Sequence, residues 1–240
     1  MKRILRKSLS SRAQRFLDER AGRVSAHEHP DIEARRLWEL QRNRAFNEIR
    51  STLRAMAGGR DRCMYTGDSE GTDIDHFRPL AHFPELAFEW TNLLLACSRC
   101  NSNDKRDQFP IDESGQPLLI DPTAEEPLDH LDFIPANGLY HHRTRKGWES
   151  IRIYGLNRDV LARGRRASWT VVQACLILYA EAKRAGRVDE MGRYEQAIRD
   201  LPHPGVLTAL LKIAEESTID DVDARCLALL REHPEIRSWA

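Results

Sequence analysis

The sequence predicts a mainly helical α+β protein, and three observations carry that expectation. Apolar residues recur at helical steps early in the chain. A central stretch breaks into short apolar pieces among turn residues, cysteines and histidines, and helical periodicity then returns and persists. The 240 residues suit one large domain or two small ones, and 41% apolar content is enough to bury a core.

Four segments follow in order. Residues 1–60 read as basic helices: a short one at 8–21, then a long amphipathic helix over 30–56. In the latter Ile32, Leu37, Leu40, Ala45, Ile49, Leu53 and Met56 recur at steps of three to five. Pro30 and Asp31 open it and Gly58-Gly59 closes it. Residues 61–112 are dense in Cys, His, Asp and Asn, the composition of a site rather than of a scaffold. Residues 113–156 are rich in proline and glycine, with β-like runs at 117–120, 138–142 and 149–154, and predict a loop-rich connection with short strands. Residues 157–240 predict a helical subdomain with helices at 160–185, 188–201, 206–216 and 222–232. Gly186, a proline turn at 202–204 and a cap region at 218–221 separate them. Trp169, Leu176, Ile177 and Tyr179 are expected in the core of this tail, which also offers a surface on which a partner can dock.

Composition removes several classes. No apolar run approaches the roughly 18–20 residues that cross a bilayer, and the basic opening segment lacks the apolar stretch of a secretory signal, so a cytoplasmic protein without membrane contact is expected. Five cysteines, an odd number, do not suggest a disulfide framework in that compartment. Cys175 and Cys226 stand alone in helical patterns and read as core.

The formal net charge of zero hides opposed blocks. Residues 1–62 hold 16 Lys+Arg against 8 Asp+Glu, residues 63–110 hold 4 against 8, and residues 111–150 hold 3 against 8. The chain is thus a basic amino-terminal part, an acidic middle and a near-neutral tail. The basic part is either a solvated helix face or a surface that meets phosphate. A zero sum excludes a strongly basic, non-specific nucleic-acid binder, but not an enzyme with an acidic site.

The chemistry concentrates in Cys63-Met-Tyr-Thr66, Asp73-Ile-Asp75-His76-Phe-Arg78-Pro, Trp90-Thr-Asn92, and Cys97-Ser-Arg99-Cys100-Asn101 followed by Lys105 and Arg106. Successive strand residues point to opposite faces, so Asp75 can hold a divalent cation while His76 faces the other way. Such a histidine can deprotonate a water for in-line attack on a phosphodiester, with the metal stabilising the charge that develops on phosphate. Cys97 and Cys100 have the spacing that grips zinc at a tight turn, and Cys63 supplies a third sulfur.

This ordered set resembles the HNH endonucleases, whose ββα-metal fold wraps a two-stranded ribbon and a helix around one divalent ion. The resemblance implies a ββα-metal core with His76 as general base and Asp75 as first metal ligand. It makes Asn92 the asparagine that braces the loop between the strands, and Asn101 the second ligand. Lys105 or Arg106 would contact phosphate, and Mg²⁺ or Mn²⁺ would be the catalytic ion. Arg78 and Arg99 flank the site, either to meet phosphate or to pair with neighbouring acids. Asp73 is either an outer ligand or a solvated strand-end acid. Further stretches, among them Phe83-Pro-Glu-Leu-Ala-Phe-Glu-Trp90 and Leu119-Ile-Asp121-Pro122, look like the HNH subunit of Septu-type anti-phage systems, which also occurs with some retrons. That likeness implies an ABC-type ATPase partner and a nucleic-acid substrate, DNA in the first reading and RNA, such as tRNA, in the second.

The sequence departs from the family at one point. HNH proteins with a structural zinc usually carry two Cys-x-x-Cys pairs, and here Thr66 stands where the fourth thiolate belongs. Either Asp68 or a nearby histidine completes the tetrahedron, or the site is weak or empty and apolar packing replaces it. The lost cysteine also supports a different class of function, an inactive zinc-binding assembly module on the HNH scaffold. His130, His141 and His142 lack ligand spacing to one another.

Overall fold

A computed structural model describes residues 1–40, 43–57, 60–68, 70–215 and 222–240. Three helices, α1 (Ser11–Ser25), α2 (Pro30–Glu39) and α3 (Arg44–Met56), lead into strands β1 (Asp73–His76) and β2 (Leu93–Ala96) and a short helix of π geometry at Arg99–Lys105, called here the site helix. A second hairpin, β3 (Leu131–Ile134) and β4 (Leu139–His142), precedes α4 (Arg145–Ile153). The tail comprises α5 (Asp159–Arg184), α6 (Val188–Asp200), α7 (Gly205–Glu215), α8 (Ala224–Glu232) and a closing turn at Pro234–Trp239. The mainly helical α+β class expected from the sequence is the class observed.

The antiparallel β1–β2 hairpin, with Asp75 opposite Leu94 and His76 opposite Leu93, lies at the centre. Every residue of β2 is fully buried, as a strand covered on both faces requires. Helix α3 lies against β2, with Phe46, Ile49 and Leu53 turned inward. The same apolar cluster takes in Leu17 of α1, Leu119 and Ile120 of the connection, and Trp169, Leu176 and Tyr179 of α5. Helix α5 packs against α6, α7 and α8.

The long helix expected over 30–56 is two helices. Leu40 leaves the helical region at φ −85° and ψ 54°, and Asn43 is extended, its side chain accepting from the Phe46 amide at 2.8 Å. An asparagine at that position starts a helix, because it satisfies an amide that has no partner within the helix. The guanidinium of Arg20 in α1 takes the carbonyls of Leu37 and Leu40, so the broken end is satisfied as well. The helix expected at 8–21 is shifted to Ser11–Ser25, where Ser10 caps it through the Ala13 amide at 3.2 Å.

Two expected strands are absent. Residues 149–153 are helical and Tyr154 caps the helix end, because the Thr144 hydroxyl caps the start of α4 through the Gly147 amide and Glu149, Ser150 and Ile153 share a buried side. Residues 117–120 form a strap tied to the preceding chain by a bridge between Ile111 and Pro117 and by the Leu118 amide, which donates to the Pro110 carbonyl at 2.9 Å, and the Ser150 hydroxyl accepts from the Ile120 amide at 2.9 Å. Strand β3, which the sequence did not announce, pairs with the expected β4. Gly58-Gly59, Glu216 and the cap region at 218–221 lie outside the described residues.

The amino-terminal segment binds the hairpin from outside. Arg6 donates to the carbonyls of Trp90 at 2.7 Å, Leu93 at 3.0 Å and Thr91 at 2.9 Å, and to the Thr123 hydroxyl at 2.7 Å. These bonds fix the chain as it enters β2. Replacing Arg6 by Ala is expected to lower stability by about 2–3 kcal/mol, from charged hydrogen bonds lost against partly buried carbonyls. The check is a urea titration in which the midpoint falls while the slope is unchanged.

Candidate active site

The expected site residues sit on β1, the turn before β2 and the site helix. His76, 8% exposed, directs Nε2 to the Ala87 carbonyl at 2.9 Å. A carbonyl only accepts, so Nε2 carries the proton and Nδ1 keeps its lone pair. The imidazole lies 4.2 Å from the Trp38 ring of α2, centroid to centroid. Burial holds its pKa below the ordinary histidine value, against the raising effects of the Ala87 carbonyl and Asp75. It is therefore a neutral ring with one free basic nitrogen.

Asn92 is buried at the end of a short turn, Trp90–Asn92. Its Oδ1 accepts from the Arg78 amide at 2.8 Å, while Nδ2 donates to the carbonyls of Arg78 at 3.1 Å and Leu86 at 3.0 Å. One amide thus clamps both ends of the loop that carries Ala87, the residue that fixes the His76 tautomer.

Asp75 is 4% exposed and both its oxygens are engaged. Tyr65 donates its hydroxyl to Oδ2, and Lys105 places Nζ 3.1 Å from Oδ1. Burial, and then the Asp75 charge, push the Tyr65 pKa well above its usual value, so the phenol stays protonated and remains a donor. Lys105 has no exposed surface and also donates to the His76 carbonyl at 2.6 Å. This corrects the expectation that Lys105 contacts phosphate: its ammonium is turned inward to the carboxylate. Asn101 is half-buried at the start of the site helix, and its Nδ2 donates to Asp73 Oδ2 at 3.3 Å. Asp73, half-buried at the start of β1, also accepts from the Thr72 hydroxyl at 2.9 Å.

Asp73, Asp75 and Asn101 carry oxygen atoms of the kind that a hard divalent ion takes, and of these Asn101 is hydrogen-bonded to Asp73. Asp75 enters that set already paired with an ammonium.

Of the four expected phosphate contacts, Arg106 is exposed and donates to the Ser102 carbonyl at 3.0 Å. Arg99 is exposed and pairs with Asp104 at 3.0 Å. Arg78 lies over the rings of Phe83 and Phe109, at 5.5 and 5.3 Å.

The three cysteines converge. The sulfurs of Cys63, Cys97 and Cys100 lie within 4.8 Å of one another, all buried, which fits three ligands of a soft ion such as zinc. Hydrogen bonds from Cys100 and Cys63 hold Cys97 far below the usual thiol pKa. Among the described residues no histidine or carboxylate joins the cluster, so of the two alternatives the one in which Asp68 or a nearby His completes it is not observed. Thr66 is buried, with its hydroxyl 3.4 Å from the Asp68 amide as acceptor. Arg158, not anticipated from the sequence, brings Nη2 to 4.0 Å from Cys100 and pairs with Asp104. It lies 58 residues after Cys100, so no local spacing announced it. Trp38 and Tyr65 were missed for different reasons. Trp38 acts across a long sequence separation, whereas Tyr65 stands within the cysteine segment itself, two residues after Cys63.

A buried two-stranded ribbon and a following helix, with an Asp-His pair on the first strand and an asparagine on the helix, define a ββα-metal type of site. Comparison with known proteins agrees: residues 61–107, which hold this ribbon and helix, match the family described as HNH endonuclease. It is 32% identical over 119 residues to Septu protein PtuB of Bacillus mycoides (strain KBAB4), covering 39% of this chain and 40% of that protein. It is also similar to Septu protein PtuB of Bacillus thuringiensis, at 28% over 96 residues, 40% of this chain and 35% of that one. Protein ea31 of Escherichia phage lambda is 39% identical over 59 residues, 24% of this chain and 20% of that protein. The chain thus spans less than half the length of these relatives. No solved structure matches significantly.

The Asn92 clamp yields a test. Asn92→Ala leaves three part-buried backbone groups, the Arg78 amide and the carbonyls of Arg78 and Leu86, without their partner, and a loss of roughly 1–3 kcal/mol is expected. Asn92→Asp, which keeps the acceptor and loses both donor bonds, should recover little of it in the same chemical denaturation experiment.

Proposed function

We propose that this protein is a metal-dependent HNH endonuclease that hydrolyses phosphodiester bonds in DNA, as the nuclease of an anti-phage defence complex. The observation that carries the reading is the state of His76: neutral, its proton held on Nε2 by the Ala87 carbonyl and its Nδ1 left with a lone pair, in the HNH-matched segment where Asp75 is the preceding residue of β1. A ring held in that tautomer can accept the proton of an attacking water without first losing one. The clamp by Asn92 and the packing of Trp38 hold the imidazole in place during the transfer. Mg²⁺ or Mn²⁺, held by Asp75 and Asn101, would stabilise charge developing on the phosphate oxygens. Exposed Arg99 and Arg106 next to the site helix are available to orient the backbone of the substrate.

The defence role is supported by the two Septu relatives, and the partner implied by that likeness is an ABC-type ATPase, Septu-type or retron-linked. The helices α5 to α8 are the proposed docking surface. Among the described residues no helix is long and apolar enough to cross a membrane. A second reading, an inactive zinc-binding assembly module, is favoured by two observations: Lys105 on Asp75, and Thr66 in place of a fourth thiolate.

The discriminating experiment is a cleavage assay on DNA and on tRNA, with the protein in complex with its ATPase partner, with and without EDTA. His76→Ala is expected to lower the rate by roughly 10²–10⁴-fold with the fold intact, and EDTA to abolish cleavage. Cleavage by His76→Ala at the wild-type rate would overturn the assignment of the base, and metal-independent cleavage would overturn the metal. For the cysteine cluster, elemental analysis of protein purified without added zinc is expected to find about one zinc per chain, lost in Cys97→Ser. A stoichiometry near zero removes the structural zinc.

A further inference from the structure

The pairing of Lys105 with Asp75 goes beyond what the site needs to resemble a nuclease. The carboxylate expected to hold the metal has Lys105 Nζ 3.1 Å from Oδ1 and the Tyr65 hydroxyl on Oδ2. Lys105 has no exposed surface, and its second bond, 2.6 Å to the His76 carbonyl, belongs to the neighbouring residue of the same strand. An ammonium sealed in this way must keep a negative partner, because a buried unpaired charge is strongly unfavourable. It is also a cation in the immediate surroundings of any ion that Asp75 takes. Two cations on one desolvated carboxylate repel, and the repulsion is poorly screened away from water. Lys105 ends the site helix and is followed by Arg106 at a positive φ of 49°, where the helix stops.

We propose that Lys105 is the built-in cation of Asp75, an intramolecular competitor that occupies the carboxylate in the metal-free chain and must be displaced before a divalent ion binds there. The proposal rests on the metal-dependent reading of the site. It gives that site a latch within the chain itself: metal affinity is set low by Lys105, and anything that draws its ammonium away raises that affinity. Lys105 in this role positions and neutralises Asp75, and touches no substrate in the structure described.

The test measures metal binding directly. Full-length protein with its cysteine cluster loaded with zinc is titrated with Mn²⁺, and free Mn²⁺ is read by electron paramagnetic resonance. Lys105→Met, of similar length and no charge, is expected to bind Mn²⁺ about tenfold more tightly than wild type or better. The gain should vanish in Lys105→Met combined with Asp75→Asn. Equal or weaker binding by a Lys105→Met protein that circular dichroism finds folded overturns the proposal while leaving the metal site standing. If Lys105→Met does not fold, wild-type protein carries the test: reductive methylation read by mass spectrometry should find Lys105 protected without metal and modified several-fold faster at saturating Mn²⁺. Labelling that does not change when resonance finds the Mn²⁺ bound also overturns it. Absence of Mn²⁺ binding to any of these proteins refutes the metal-dependent reading, and the latch with it.

Discussion

The carboxylate of Asp75 is where three segments of the chain are fastened together. Tyr65 reaches it from the turn after Cys63, Lys105 from the end of the site helix, and Asp75 itself stands on β1. Removing one member of a buried pair of this kind costs about 3–5 kcal/mol, because the other charge is stranded without water. The cysteine cluster joins neighbouring parts of the same region, with Cys63 at the turn, Cys97 just after β2 and Cys100 within the site helix. Ion pair and sulfurs therefore hold the strand, turn and helix from two sides. The stack of Tyr65 on Tyr154, 4.1 Å apart, extends the arrangement to the end of α4, and Tyr154 in turn donates to the Ile120 carbonyl.

That frame explains why His76 can be placed without a polar partner on its second nitrogen. Its ring is held by the Ala87 carbonyl, by Trp38 and by the loop that Asn92 clamps. Helices α1 and α2 form part of the wall. Part of the positive charge of the amino-terminal block is used within the protein: Arg20 satisfies the end of α2 and lies over Phe16 and Phe88, Arg23 and Arg36 pair with Glu33, and Arg6, before α1, holds the entry to β2. The basic amino-terminal block is thus in part structural, which narrows the phosphate-facing surface to fewer residues than the charge count suggests.

The limits of sequence reading fall along the same lines. The helices of the tail were legible to within a few residues, since their periodicity is local and their ends are marked by glycine, proline and capping side chains. The break at Leu40 was not, because a continuous apolar pattern runs through it and the interaction that satisfies the broken end comes from Arg20, in another helix. The run at 149–154 alternates like a strand, and only the cap at Thr144 and the core on one side make it a helix. Strand β3, equal in length to β4, is set by its pairing with that strand across the turn.

For the site, the sequence by itself marked the segments involved: Cys63, Cys97 and Cys100 converge, while the Asp-His pair lies on β1, Asn92 in the turn before β2 and Asn101 on the site helix. Only the tertiary structure decided their state. Whether an aspartate is free or paired, which nitrogen of a histidine keeps its lone pair, and whether a lysine faces solvent or a carboxylate depend on burial and on partners far away in the chain. Lys105 is the clearest case. Its position one turn after Asn101 follows from the sequence, while its direction follows from the cost of leaving either Asp75 or its own ammonium alone in a site closed to water.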